Sequence, residues 1–231
     1  MKNFDQFQLD ENMQFAQYRR SDDVTAFSGA DLNLKVETID NNICNYLEQF
    51  TDFNCFVSAQ RQDDLFSNAV LLHGHLTKGW HILHAAPKNN ECNWRQLDVP
   101  EKVHNDIIQI FLLNEKKGER RCELIEPTQV FCTSGTTSKS KLVPVSRSRL
   151  LSNITASKEL YFGCKKMLSV MPLGHVNSIC GALTYCLFHN VAFVHSDFTS
   201  VIYINKLMAT ECPEILNCSP FYLETIVKLN E

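Results

Sequence analysis

Between Thr133 and Lys141 the chain reads T-S-G-T-T-S-K-S-K, a run whose residue types suit the holding of phosphate. Gly135 lets the backbone turn tightly and come close to an anionic ligand, because it has no Cβ to stand in the way. Consecutive main-chain N–H groups in such a turn converge on anionic oxygens. The hydroxyls of Thr133, Ser134, Thr136 and Thr137 are further donors, with Ser138 beside them, and Lys139 and Lys141 bring positive charge. The run is not a Walker A loop, since Ser140 stands where the second glycine would precede the lysine and Leu142 follows it. On composition alone, the alternative is a solvated linker, which is what clusters of Ser, Thr and Gly commonly form.

Four other groupings invite chemistry. His73-Gly74-His75 and His81-x-x-His84 suggest a metal, because imidazoles two apart on a strand share a face. Zinc takes about four ligands in closed geometry, and no Cys or carboxylate stands at a useful spacing, so these read as helix-end and strand histidines. No G-x-S-x-G elbow occurs for a serine hydrolase. Asp22-Asp23 and Asp63-Asp64 read as solvated turn or helix starts.

The elements that must position the loop follow from periodicity. Residues 1 to about 38 are polar, with loops marked at Asp22-Asp23 and Ser28-Gly29, and Asp40 is a candidate cap for a helix through Phe50. Cys55-Phe56-Val57 predicts a short strand, Asp63-Asp64 opens a helix through Leu65, Ala69 and Leu72, and Trp80 to Ala85 predicts a strand. Pro100 suits a first helical position, with Val103, Ile107, Ile110 and Phe111 on one helical face, and Glu115 to Arg121 reads as a charged loop. From Gln129 the pattern is regular. Val130-Phe131-Cys132 is a strand leading into the loop, Ser146–Leu160 a helix and Met167–Met171 a strand. Asn177–Phe188 is a helix, Val191–Val194 a strand, Ser200–Thr210 a helix and Glu214–Leu216 extended, and Ser219 caps a last helix to Leu229. This alternation predicts an α/β layer structure with a largely parallel sheet flanked by helices.

In order and context the loop resembles the signature loop of the adenylate-forming (AMP-binding) superfamily, which includes acyl-CoA synthetases and peptide-synthetase adenylation domains and reads roughly T-S-G-T-T-G-x-P-K-G-V. Here Ser138 replaces the second Gly, Ser140 the Pro and Leu142 the third Gly, while Gly135, Thr136, Thr137 and Lys141 are retained. Arg147 to Asn153 is similar to the helix that follows in the family. Met171-Pro172-Leu173-Gly174-His175-Val176-Asn177 is similar to its P-L-x-H-x-x-G motif, with Gly181 slightly displaced from the usual Gly. Cys212 to Pro220 is similar to a later strand and loop. The likeness is strong from about 129 to 185, fair to the end and faint before 129, which divides the chain into an abbreviated N-terminal region (1–128) and an AMP-binding-like region (129–231).

The resemblance implies ATP-dependent activation of a small carboxylic acid as an acyl adenylate, and transfer to CoA or to a carrier-protein phosphopantetheine thiol. It implies ATP phosphates on Thr133, Ser134, Gly135, Thr136, Thr137, Ser138, Lys139 and Lys141. Catalytic roles fall to Lys141 and to His175, which would line the acyl pocket; the other role open to His175 is that of a core or helix-capping histidine. Mg²⁺ is the implied metal, but the family's Y-G-x-T/S-E motif, whose Glu helps hold it, does not occur here. Nor does the ribose-gripping T-G-D motif. The expectation is therefore an incomplete or split enzyme, working with a separately encoded C-terminal portion or a carrier protein. The alternative is a catalytically inactive remnant acting as an interaction or regulatory module.

Composition sets the outer bounds. With 231 residues, 44% hydrophobic and 21% charged, the chain can bury a sizeable core. A net charge of -4 gives no electrostatic case for nucleic acid. The most apolar stretch, Ser178 to Val194, contains His189 and Asn190 and falls short of the about 20 apolar residues of a membrane span. Ten cysteines without a C-x-x-C pair, several among apolar neighbours, read as reduced thiols, and the start lacks the apolar stretch of a signal peptide. The expected compartment is the cytoplasm.

Overall fold

A computed structural model describes residues 7–19, 23–47, 55–84, 94–96, 108–113, 126–133, 141–198 and 200–230. The chain forms two compact units, one from Met1–Phe7 and Leu32–Leu151, the other from Gln8–Asp31 and Ser152–Glu231. Each unit carries its own sheet. The units interleave in sequence, and residues 128 and 129 both lie within the first.

The first unit holds a six-stranded sheet in the order β5-β6-β3-β4-β7-β8, built from β3 (Cys55–Ala59), β4 (Ile82–His84), β5 (Trp94–Gln96), β6 (Ile108–Leu113), β7 (Thr128–Thr133) and β8 (Lys141–Ser146). It is mixed: β3–β4 and β4–β7 run parallel, whereas β3–β6, β5–β6 and β7–β8 run antiparallel. Phe56, Leu83, Phe111 and Val130, one from each of β3, β4, β6 and β7, form a buried layer. The expected helical face through Ile110 and Phe111 is a strand instead, and Pro100, Val103 and Ile107 lie outside the described residues. A short apolar run does not distinguish strand from helix by period. Here adjacent Ile110 and Phe111 are both buried, as in a strand covered on both faces.

Helix α2 (Leu65–Lys78) starts where the aspartates predict. The Asp64 carboxylate accepts hydrogen bonds from the Ser67 N–H at 2.9 Å and the Ser67 hydroxyl at 2.6 Å. Gly74, inside this helix, is a matter of space, because a Cβ there would stand 2.1 Å from the Trp80 ring. Trp80 is held by its indole N–H, which donates to Asp40 at 2.8 Å. Gly74→Ala is therefore expected to destabilise the chain by about 1–3 kcal/mol through overpacking, despite alanine's better helix propensity, and urea denaturation monitored by fluorescence reads the loss.

The second unit holds a five-stranded sheet in the order β11-β9-β10-β1-β2, from β1 (Gln14–Tyr18), β2 (Val24–Ser28), β9 (Lys166–Ser169), β10 (Ala192–Ser196) and β11 (Ile215–Asn217). Only β1–β2 is antiparallel, so this sheet is largely parallel, as expected. A π-helical segment (Asn177–Leu183) running into α4 (Thr184–His189) joins β9 to β10, α5 (Val201–Glu211) joins β10 to β11, and α6 (Pro220–Asn230) follows. Leu168, Val170, Val194, Ile204, Leu207 and Ile226 form its core.

Although Asp23 falls between β1 and β2, where a loop was expected, described residues 7–19 and 23–38 hold more regular structure than their polarity suggested. They supply β1, β2 and the start of α1 (Gly29–Leu47), whose Leu32, Val36, Ile39 and Ile43 are each at most 1% exposed. Their spacing is helical, but the polar residues between them obscure it. Asp40 lies inside α1 and caps nothing there.

Candidate functional site: a hairpin loop and a strand crossover

The loop has a structural frame that the sequence reading did not contain. Strand β7 pairs antiparallel with β8 over its whole length, from Thr128 opposite Ser146 to Thr133 opposite Lys141. Residues 134–140 thus connect two adjacent strand ends, and Thr133 and Lys141 face each other across the mouth. Ser134, Gly135, Thr136, Thr137, Ser138 and Lys139 lie outside the described residues, as do the side chains of Thr133 and Lys141. Sequence reasoning missed β8 because Pro144 punctuates it, yet proline is tolerated on an edge strand, which β8 is.

The other end of the hairpin is clamped. Glu126, just before β7, accepts hydrogen bonds from the Ser148 hydroxyl at 2.7 Å and the Ser148 N–H at 3.0 Å in the first turn of α3 (Arg147–Ser157). The Arg147 N–H donates to the Pro127 carbonyl at 2.9 Å. The hydroxyl bond from Ser148 holds the Glu126 carboxyl below its usual range. An acceptor at a helix N-terminus satisfies donors that have no partner within the helix.

The histidines considered for a metal are engaged in hydrogen bonds within the first unit, two of them to this frame. His73 and His75 lie on α2, not on a strand. His73 Nε2 donates to Asn33 Oδ1 at 2.7 Å, and His75 Nδ1 donates to the Trp80 carbonyl at 2.7 Å. His81 Nδ1 accepts the Thr128 N–H at 3.2 Å, and His84 Nε2 donates to Gln129 Oε1 at 2.8 Å while its ring stacks on Phe131, centroids 4.4 Å apart. Two of the four therefore fix β7 directly. Burial depresses all of them: His73, His75 and His84 fall to about 4, and His81 is lowered as well.

In the second unit the chain leaves β9, crosses to β10 on one side, then returns to β11 on the other. The crossover direction reverses between β9 and β11, and ligands of open parallel sheets bind outside the carboxyl ends of strands at such a reversal. Ser169 and Asn217 end these two strands, and the Asn217 amide donates to the Ser169 hydroxyl at 3.0 Å. His175 stands exposed in the turn after β9, its N–H donating to the Pro172 carbonyl at 2.9 Å. Its Nδ1 accepts the Asn177 N–H at 3.2 Å, so the ring caps the start of the π-helical segment. A polar group on β1 and β10 escaped sequence reasoning altogether. The Asp197 carboxylate is bonded at 2.9 Å by both His195 Nε2 and the Gln17 amide, and Gln17 and His195 are buried.

A profile of the family "AMP-binding enzyme" matches residues 59–231. The chain belongs to this family. The match begins at the last residue of β3, well before residue 129, so α2 and β4 are part of it. No curated protein matches the sequence significantly. Among solved structures, ATP-bound MatB from Rhodopseudomonas palustris is similar at 15% identity and a TM-score of 0.61, over 95% of this chain and 49% of that one. The o-succinylbenzoate CoA synthetase MenE from Bacillus subtilis, in complex with the acyl-adenylate intermediate OSB-AMP, is similar at 12% identity and TM-score 0.58, over 92% and 60%. The adenylation domain of a keto acid-selecting NRPS module, bound to keto acyl adenylate, is similar at 11% identity and TM-score 0.61, over 94% and 45%. At these identities the likeness is one of fold. The chain spans about half the length of the solved relatives it matches.

Proposed function

We propose that this AMP-binding chain carries the ATP-phosphate loop and part of the acid-binding region of an enzyme that activates a small carboxylic acid as its acyl adenylate. The observation that carries the reading is the pairing of Thr133 with Lys141, which brings together the two ends of a loop with the family's T-S-G-T-T…K order. In the reaction a carboxylate oxygen attacks the α-phosphorus of ATP, the bond to the β-phosphate oxygen breaks, and pyrophosphate leaves. Charge accumulates on the phosphates, so catalysis rests on positioning and electrostatic stabilisation. Lys141, Thr136 and Thr137 orient and neutralise the β- and γ-phosphates, helped by Thr133, Ser134, Gly135, Ser138 and Lys139. His175 borders the acyl carbonyl. The thiol of CoA or of a carrier protein then attacks the acyl carbonyl, the bond to the adenylate oxygen breaks, and AMP leaves. Mg²⁺ would neutralise the phosphates further, but the described residues assemble no cluster of carboxylates or imidazoles that fits it.

Among the described residues no helix is long and apolar enough to cross a membrane. A cytoplasmic, reducing location goes with the proposal: Cys180 and Cys186 are buried thiols, and burial pushes Cys180 up to about 12 and Cys186 well above its usual value.

A second reading has specific support, since Ser138, Ser140 and Leu142 replace three residues of the family pattern. In that reading the loop is a structural turn in an interaction or regulatory module. Pyrophosphate–ATP exchange over a panel of carboxylic acids separates the two, run on the chain alone and with a polypeptide supplying the Y-G-x-T/S-E and T-G-D motifs. Exchange in either arm is expected; none in both arms sinks the ligase reading.

A further inference from the structure

The π-helical segment after His175 is held in an unusual way. Its first residue, Asn177, donates its side-chain amide to Asn217 Oδ1 at 3.2 Å, and Asn217 in turn donates to Ser169. Four residues on stands Gly181, and a Cβ there would lie 2.6 Å from Asn177 Oδ1. The glycine therefore leaves the space in which the Asn177 side chain sits. The wider turn is closed further along, where the Thr184 N–H reaches back to the Ile179 carbonyl and the Thr184 hydroxyl donates to the same oxygen at 2.7 Å. Segments of this kind are rare and cluster at functional sites.

The consequence falls on His175. Its Nδ1 accepts the Asn177 main-chain N–H, so in the neutral ring the proton resides on Nε2. We propose that Asn177 is the positioning residue of His175: seated over Gly181 and tied to Asn217, it holds the imidazole with Nδ1 turned to the main chain and Nε2–H as the donor for an acceptor oxygen of the ligand. A carbonyl or carboxylate oxygen is the matching chemistry. This rests on the reading in which His175 meets the acyl group, but the state of the ring is measurable with no nucleotide or acid present.

Long-range ¹H–¹⁵N correlation on the histidine-labelled chain reads both ring nitrogens, and His175→Gln identifies the signal. The expected result is a single tautomer in the wild type, with Nδ1 unprotonated. Gly181→Ala displaces only the far end of an exposed, flexible side chain, so the fold stays and the signal moves to the average of two tautomers. Asn177→Ala gives the same average, and adding Gly181→Ala to it changes nothing more, because the atom that the new methyl would meet is gone. An unchanged ring in Asn177→Ala overturns the proposal. So does a Gly181→Ala effect that persists undiminished in the Asn177→Ala background. Should Gly181→Ala fail to fold, Asn177→Ala and Asn217→Ala decide the matter. Failure of pyrophosphate exchange would count against the ligase reading and leave this ring assignment standing.

Discussion

Lys141→Ala is expected to weaken ATP binding by roughly 10- to 100-fold, the range given by a hydrogen bond to a charged group worth about 1.5–3 kcal/mol. Titration calorimetry on the wild type and the variant reads it directly. The fold should be unaffected, because Lys141 pairs with Thr133 through the main chain and alanine keeps that pairing. Where exchange activity is measurable, loss of one donor aimed at the developing charge should cost about 10²–10³ in rate. Lys141→Arg keeps the charge but not the compact ammonium, and recovery by it would be partial. Equal heats for wild type and Lys141→Ala would mean that the loop is not a phosphate site.

The second large effect concerns acid. Below about pH 6.5 the histidines of the unfolded chain take up protons, whereas His73, His75 and His84 in the folded chain stay neutral down to about 4. The unfolded state then binds more protons, so stability falls as pH drops through that window and levels off beneath it. A gap from 6.5 to about 4 corresponds to on the order of 3 kcal/mol for each histidine. Since native domains are stable by only about 5–15 kcal/mol, the unit that contains them should unfold within the window. Both tryptophans, Trp80 and Trp94, belong to that unit, so fluorescence-monitored urea denaturation at stepped pH follows it specifically. His84→Gln removes one titrating group and should flatten the slope. Stability independent of pH from neutrality to about 5 would show that these rings titrate in the folded chain as they do in water.

What the sequence made legible divides along physical lines. The strands after residue 165 were readable where they are buried on both faces, as in β9 and β10, with adjacent buried residues along each. The start of α2 was readable because Asp64 is a capping residue in its expected place. Strand β1 was not. Its Gln17 is buried yet polar, and the Asp197 partner that makes this tolerable is 180 residues away in sequence. The loop was singled out by the order and type of its residues, which lie outside the described ones, whereas its frame was not readable. Nothing local indicates that Lys141 begins a strand, that Glu126 caps α3, or that His81 and His84 bind to β7, because each depends on a partner brought in by the fold. His175 was singled out from its motif, and its capping bond to Asn177, two residues on, was not readable there.

Strand β8 carries one more implication. It ends its sheet, with Leu142, Val143 and Pro144 exposed, so its outer side offers main-chain groups on which a second polypeptide could extend the sheet. Pro144 brings no N–H to that side and interrupts the row of donors. The strand that delivers Lys141 to the loop is thus poorly suited to template aggregation, although two of its neighbouring side chains are exposed and apolar. The proline that hid the strand from sequence reading also leaves a gap in the main-chain donors its edge could offer.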